Sequence, residues 1–383
     1  MKIALVILHA DPARGGAERY TAELLLALRG REHEVSLLAS TLPGGNVPSS
    51  DVLLPSPGAT RAGRYARFLN SLDRHLDHIR YDIVHAMLPV RRCDVYHPHA
   101  GIAAESVESG HLKHAGKVER AVSRFANRMN LRRQRFAAVE RELLQSPNPP
   151  TVLCLSDYVK GTVRKHYDLP ETKLATLFNA VDLGRFDPTS RSDARDEIRR
   201  RFSIGGDRVV GLMIAQDFAR KGLREAIVAL AAIPDARMML LVVGKQDPTP
   251  YRKLAADRGV LDRVIFNGPT TDPYAFYQAA DFFVLPTRHD PCSLVVLESL
   301  AMGVPVISSV FNGACEIMRD GTHGYVLPDP PDTNALAHHM AQMLDAGRRR
   351  AMSEACLQLR PALSYENHVD RLLDIYRSAR RHG

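Results

Sequence analysis

Apolar residues in this chain come in short unbroken runs rather than in strict alternation with polar ones. The first, Lys2 to Leu8 (KIALVIL), leads into a loop rich in proline and glycine. From Gly16 onward, Tyr20, Leu24 and Leu28 recur at helical spacing on one face. Continuous apolar runs between turn residues are the mark of strands buried on both faces, as in a parallel sheet with crossover helices. Runs at 34–38, 83–85, 95–97 and 152–155 extend that first sheet, and a second series runs through 208–216, 237–244, 263–268, 282–286 and 304–309. Each member of the second series is followed by a helical pattern. The polar, Arg- and Asp-rich stretch from Asp187 to Asp207 separates the two series and reads as a hinge. The chain is therefore expected to be α/β, with two Rossmann-like halves over residues 1–188 and 205–364. A last helix, 365–383, carries Val369, Leu372, Leu373 and Tyr376 on one face.

Size and composition agree with this. A chain of 383 residues exceeds what one core usually holds, so two domains and a ligand cleft between them are expected. An apolar content of 45% and a charged content of 25% exclude a disordered chain. Six consecutive apolar residues after Lys2 are too few for a signal-peptide core, and no run reaches the length of a membrane span, so a cytoplasmic location is expected. The five cysteines share no metal-type spacing and read as reduced thiols.

Charge changes the picture at one place. Between Lys113 and Arg135 stand eight Lys or Arg and one acid, Glu119, a net +7 that leaves about +1 for the rest of the chain. On a helix turning about 100° per residue, Lys117, Arg120, Arg124, Arg128 and Arg132, with Arg135, share a sector beside an apolar stripe of Val118, Val122, Phe125, Met129 and Phe136. That is the layout of an amphipathic helix lying on an anionic membrane. The plainer alternative is a core-packing helix with a solvated basic face. Nucleic acid is a poorer partner, because the segment offers few aromatic rings to stack.

Candidate chemistry gathers after two strands of the second series. Arg220 and Lys221, followed by Gly222 and a helical pattern, place a guanidinium fork beside an ammonium, a pairing suited to a diphosphate. Further on, DPCSLVVLESLAMGVPVISSVFNGACEIMRDGTHGYVL (Asp290 to Leu327) sets Asp290 and Glu298 with seven residues between them and follows them with glycine turns. In the first half, Gly15 and Gly16 open the first helix, where backbone approaches a ligand closely and the helix N-terminus favours anionic oxygens. No Asp-x-Asp pair is present to hold a divalent metal.

These stretches resemble glycosyltransferase family 4. The family resemblance implies a GT-B fold, two Rossmann-like domains facing a central cleft, with the last helix packing back on the first domain. It implies retaining, metal-independent transfer of a hexose with no bound cofactor, the donor being a nucleotide sugar. In the family, Arg220 and Lys221 would sit at the donor phosphates and Glu298 would accept from the ribose hydroxyls. Asp290, where the family has Glu, would lie near the hydroxyls of the transferred sugar. The loop Cys292, Ser293, Leu294 would turn backbone amides to sugar and phosphate, although many relatives have Gly where Ser293 stands. Gly15 and Gly16 would approach the β-phosphate, and His99, with His97 as the alternative, would contact the sugar.

Stretches such as QDFARKGLREAIVALAAIP and CDVYHPHAG resemble lipopolysaccharide core glucosyltransferases, which implies UDP-glucose as donor and a heptose acceptor on a lipid-linked glycan at the inner membrane face. UDP-galactose and UDP-N-acetylglucosamine stay open as donors. A nucleotide-sugar 2-epimerase of the same architecture is the competing reading, though it needs no lipid-facing surface. A phosphorylase would need a pyridoxal-phosphate lysine that nothing in the sequence marks.

Overall fold

The computed structural model describes residues 1–42, 48–108, 130–191 and 193–380. They divide into two compact units, Val181–Ser364 and a first unit made of Met1–Ala180 and the chain from Tyr365.

In the first unit, β1 (Lys2–Val6), β2 (Glu34–Ala39), β3 (Val52–Leu53), β4 (Ile83–Ala86), β5 (Val95–Tyr96), β6 (Thr151–Cys154) and β7 (Leu174–Thr176) form a parallel sheet in the order β3-β2-β1-β4-β5-β6-β7. The unbroken apolar run of β1 serves two cores at once, because successive residues point to opposite faces. Ile3 and Leu5 join Tyr20, Leu24 and Leu28 of helix Gly16–Arg29. Ala4 and Val6 join Tyr65, Phe68 and Leu72 of helix Arg61–His78. The helix Tyr365–Arg380 lays Val369, Leu372, Leu373 and Tyr376 into the first of these cores, so chain-terminal residues complete the unit that begins at Met1. Each such side chain contributes roughly 1.5–3 kcal/mol when fully buried.

In the second unit, β8 (Val209–Ile214), β9 (Met238–Val243), β10 (Val264–Gly268), β11 (Phe282–Leu285), β12 (Val306–Ser309) and β13 (Gly324–Leu327) form another parallel sheet, ordered β10-β9-β8-β11-β12-β13. Sequence pattern located all but three strands. β3 and β7 are too short to show an apolar run, and β13 begins at a glycine held at φ 130° against the backbone of Val306.

Two expectations need correction. The stretch Asp187–Asp207, read as a hinge between halves, is built into the second unit. Its helix Ala194–Arg201 lies on helix Tyr274–Ala279, and Arg195 and Arg199 both bind Asp281, at 2.8 and 2.7 Å. These two arginines face a carboxylate rather than water, and the chain passes between units near Ala180 instead.

The second concerns the basic segment. Lys117, Arg120, Arg124 and Arg128 lie outside the described residues. Arg132, expected on one helix with them, belongs to a helix that starts at Leu131, because Asn130 has an extended conformation and its side chain caps the Arg133 amide. Arg132 itself rests over the Phe136 ring, 5.2 Å from its centroid. No helix among the described residues is long and apolar enough to cross a membrane.

Candidate active site

In the second unit the strand order reverses between β8 and β11, and ligands in such sheets bind outside the carboxyl ends of the strands at that point. The segments leaving these two strands carry the chemistry. After β8, Asp217 caps the one-turn helix Phe218–Lys221 by accepting from the Arg220 amide, and Gly222 then ends it at φ 81°. Only glycine fits there, since a Cβ would collide with the Pro286 carbonyl oxygen after β11. The two segments are therefore pressed together. The Arg220 carbonyl accepts from the Arg288 amide at 3.1 Å and from the Thr287 hydroxyl at 3.2 Å, and the Arg220 guanidinium donates to the His289 carbonyl at 3.1 Å.

This lock brings Lys221 against Asp290, both buried, and their side chains form an ion pair. Burial pushes the Asp290 carboxyl up, but the Lys221 ammonium, its hydrogen bond and the nearby Arg220 outweigh that, so it stays below the usual carboxylate range. Burial also pulls Lys221 down against the opposing pull of Asp290. Lys221, expected with Arg220 at the donor phosphates, is thus paired with Asp290, and Arg220, half-exposed, lies 3.6 Å from Asp217.

Asp290 is further fixed by backbone. Its amide donates to the Phe311 carbonyl at 2.8 Å, and its carbonyl accepts from the Gly313 amide at 3.0 Å. Between these lies Asn312, fully buried, whose side-chain oxygen accepts from the amides of Ser293 and Ala314, each at 3.2 Å. Asn312 thus ties the loop of Cys292 and Ser293, both buried, to the turn after β12. Ser293 precedes helix Leu294–Ala301 without capping it through its hydroxyl, so the first helical amides have no side-chain cap. One turn and more into that helix, Glu298 is buried and accepts from the Tyr277 hydroxyl at 2.9 Å. Sequence reading missed Tyr277. Its signal was a large aromatic in helix Tyr274–Ala279 whose partner is fixed only by the fold.

The first unit holds the other candidates. Gly15 and Gly16 stand at the N-terminal end of helix Gly16–Arg29, where no side chain caps the helix. Gly15 has an extended backbone that any residue could adopt, but a Cβ there would lie 3.2 Å from a Glu18 carboxylate oxygen. His97 and His99 follow β5. His97 is buried and His99 half-buried, which favours His99 for contact with a ligand. Both rings pack on Tyr20, at 5.3 and 4.9 Å between centroids. Among the described residues no group of three or more His, Cys, Asp or Glu gathers as metal ligands would.

Residues 14–185 match the family described as Glycosyltransferase Family 4, and residues 194–356 match Glycosyl transferases group 1. The chain belongs to glycosyltransferase family 4. Its relatives include the Escherichia coli lipopolysaccharide glucosyltransferase WaaG, 24% identical over 93% of this chain and 91% of that protein. In Rhizobium meliloti the lipopolysaccharide core biosynthesis glycosyltransferase LpsE is 34% identical over 45% of this chain and 50% of its own. The crystal structure of WaaG superimposes with a TM-score of 0.79 at 23% identity, covering 98% of this chain and 99% of that one. The family 4 chain thus has the GT-B fold and is a glycosyltransferase.

Proposed function

We propose that this glycosyltransferase moves glucose from UDP-glucose, with retention and without a metal, onto a lipid-linked glycan of the lipopolysaccharide-core type. The observation that carries the donor reading is the packed junction of Lys221, Asp290 and Arg220 at the carboxyl edge of β8 and β11. Cations already organised by a buried carboxylate meet the charge that grows on a departing diphosphate with little reorganisation. Glu298 is the acceptor for ribose hydroxyls, with Tyr277 holding its second oxygen in place. Asp290, Cys292, Ser293 and Leu294 would face the donor sugar and phosphate, Gly15 and Gly16 the β-phosphate, and His99 the sugar. The whole-length likeness to WaaG, named a lipopolysaccharide glucosyltransferase, supports glucose and a core acceptor. A crystal structure of Anabaena HepE in complex with UDP-glucose, TM-score 0.73 at 16% identity and covering 99% of this chain and all of that one, shares the fold.

The deciding experiment incubates the protein with labelled UDP-glucose and lipopolysaccharide truncated at its inner core. Label transferred to the glycan, with the α-configuration of the donor kept, is expected. Release of UDP with formation of a free 2-epimer instead would replace this reading with an epimerase.

Membrane association belongs to the same reading and rests on the basic segment alone. Changing Arg120, Arg124 and Arg128 to Glu should abolish sedimentation with anionic vesicles at low salt while UDP binding stays as it was, each cation contributing on the order of 1 kcal/mol. Unchanged sedimentation would reduce the segment to a solvated face.

A further inference from the structure

Two lines of hydrogen bonds run from the helix Tyr365–Arg380 to the turn that carries His99. In the first, the Tyr376 hydroxyl meets His85 Nδ1 at 2.6 Å, and His85 Nε2 meets His97 Nδ1 at 3.2 Å. In the second, His368 Nδ1 lies 2.9 Å from the Phe178 carbonyl and His368 Nε2 lies 2.8 Å from the Tyr20 hydroxyl. A carbonyl only accepts, so His368 must carry its proton on Nδ1. The neutral ring then accepts at Nε2, and Tyr20 is the donor there. In the first line either direction leaves one buried hydrogen without an acceptor, that of the Tyr376 hydroxyl or that on His97 Nε2, and in both the Tyr376 oxygen and the His97 ring are held through His85.

Both lines end on the walls of one ring. His97 stands 5.2 Å from His99 and Tyr20 stands 4.9 Å from it, centroid to centroid. His85, His97, Tyr20 and Tyr376 are all buried without measurable exposure, and His368 nearly so, while His99 keeps part of its surface open. Apolar side chains would fill such a space at lower cost, because every polar atom placed there needs a partner. What the polar lines add over apolar filling is direction, since each hydrogen bond in them fixes the rotation of the groups it joins.

We propose that Tyr20 and His97 are positioning residues, aligned through His368 and through His85 and Tyr376, which hold the His99 imidazole in the orientation that meets a sugar hydroxyl. The inference rests on the donor reading above. It makes the last helix part of the sugar-recognising machinery and not only a closing segment of the core. Neutral rings suit the task, and burial holds His85 at about 3 and His97 well below its usual value.

The test compares affinities for UDP and for UDP-glucose by calorimetry in the parent, Tyr376→Phe and Tyr20→Phe, each of which removes one oxygen. A helix that merely closes the core would lower stability and leave the ratio of the two affinities alone. Expected is a fall in UDP-glucose affinity of about three- to tenfold, the worth of one neutral hydrogen bond, with UDP affinity unchanged in both. If one variant does not fold, the other line decides. A parent ratio retained in the folded variants overturns the proposal. A parent that binds UDP but gives no separate UDP-glucose response overturns the sugar reading itself. Imidazole nitrogen NMR should further show His368 protonated at Nδ1, and protonation at Nε2 instead would reverse the second line and overturn it.

Discussion

Lys221 and Asp290 in the second unit remain charged although buried, because each is the other's counter-ion and Arg220 stands close. His85, His97 and His368 in the first unit are buried just as deeply and remain neutral, because their neighbours are hydroxyls, a carbonyl and other imidazoles. Removal from water disfavours any charge, and what decides the outcome is whether a counter-charge is within reach. The contrast fits a division of labour in which a charged edge receives phosphate and a neutral one receives hydroxyl groups.

Acid should separate the two most. The unfolded chain takes up protons near 6.5 that the folded first unit refuses until about 3 at His85 and about 4 at His368. Stability from these rings is therefore complete above about pH 6.5 and falls as pH drops through the window down to those folded values, by roughly 2 kcal/mol per suppressed histidine at about pH 5. Asp290, whose value is lowered from 3.8, keeps its contribution down to that value and loses it only below. Hydrogen exchange between about pH 7 and 5 should show the first unit opening while the second holds. Equal loss of protection in both would remove the contrast.

Next in size is the uncompensated charge. Lys221→Ala leaves a buried Asp290 alone and should destabilise the second unit by about 3–5 kcal/mol, whereas replacing both partners with Leu should recover much of that. Denaturant unfolding of the three proteins checks this, and a Lys221→Ala protein as stable as the parent would show that the pair does no structural work. Glu298→Ala should weaken UDP binding by about ten- to a hundredfold, as loss of hydrogen bonds to a charged acceptor does, and Tyr277→Phe by a few fold. Unaltered UDP affinity in both folded variants would remove the ribose assignment. The smallest effect expected is that of chelator: turnover in EDTA should stay close to the untreated rate, and activity restored by added magnesium or manganese would contradict a metal-independent reaction.

Legibility from sequence followed the range of the interaction. β1, β8 and helix Leu294–Ala301 were legible because a run of neighbouring residues records burial directly. The start at Gly16 could be read as well, from the glycine turn before an apolar periodicity. The partnership of Lys221 with Asp290 could not be, since the two are 69 positions apart and meet only because β8 and β11 are neighbours in the sheet. The shorter carboxylate at 290 looked like a change in reach toward a sugar, and the structure shows it committed to a lysine. His97 and His99 could be singled out among sixteen histidines, but the link from the last helix through His85 and His368 could not, since it joins residues far apart in the chain. Asn130 was a readable N-cap for the helix Leu131–Leu144, overlooked because the basic periodicity continued past it.

The placement of Val369, Leu372, Leu373 and Tyr376 in the core begun by Ile3 and Leu5 also bears on how the chain is made. A ribosome delivers the first unit's opening strands early and its closing helix last, with all of Val181–Ser364 synthesised in between. The second unit has its whole sequence available before the first can finish its core, so folding during synthesis cannot simply run from the amino end. Until Tyr365 onward emerges, the apolar core that helix Gly16–Arg29 shares with the last helix lacks its cover, and transiently exposed apolar surface of that kind is what chaperones shield.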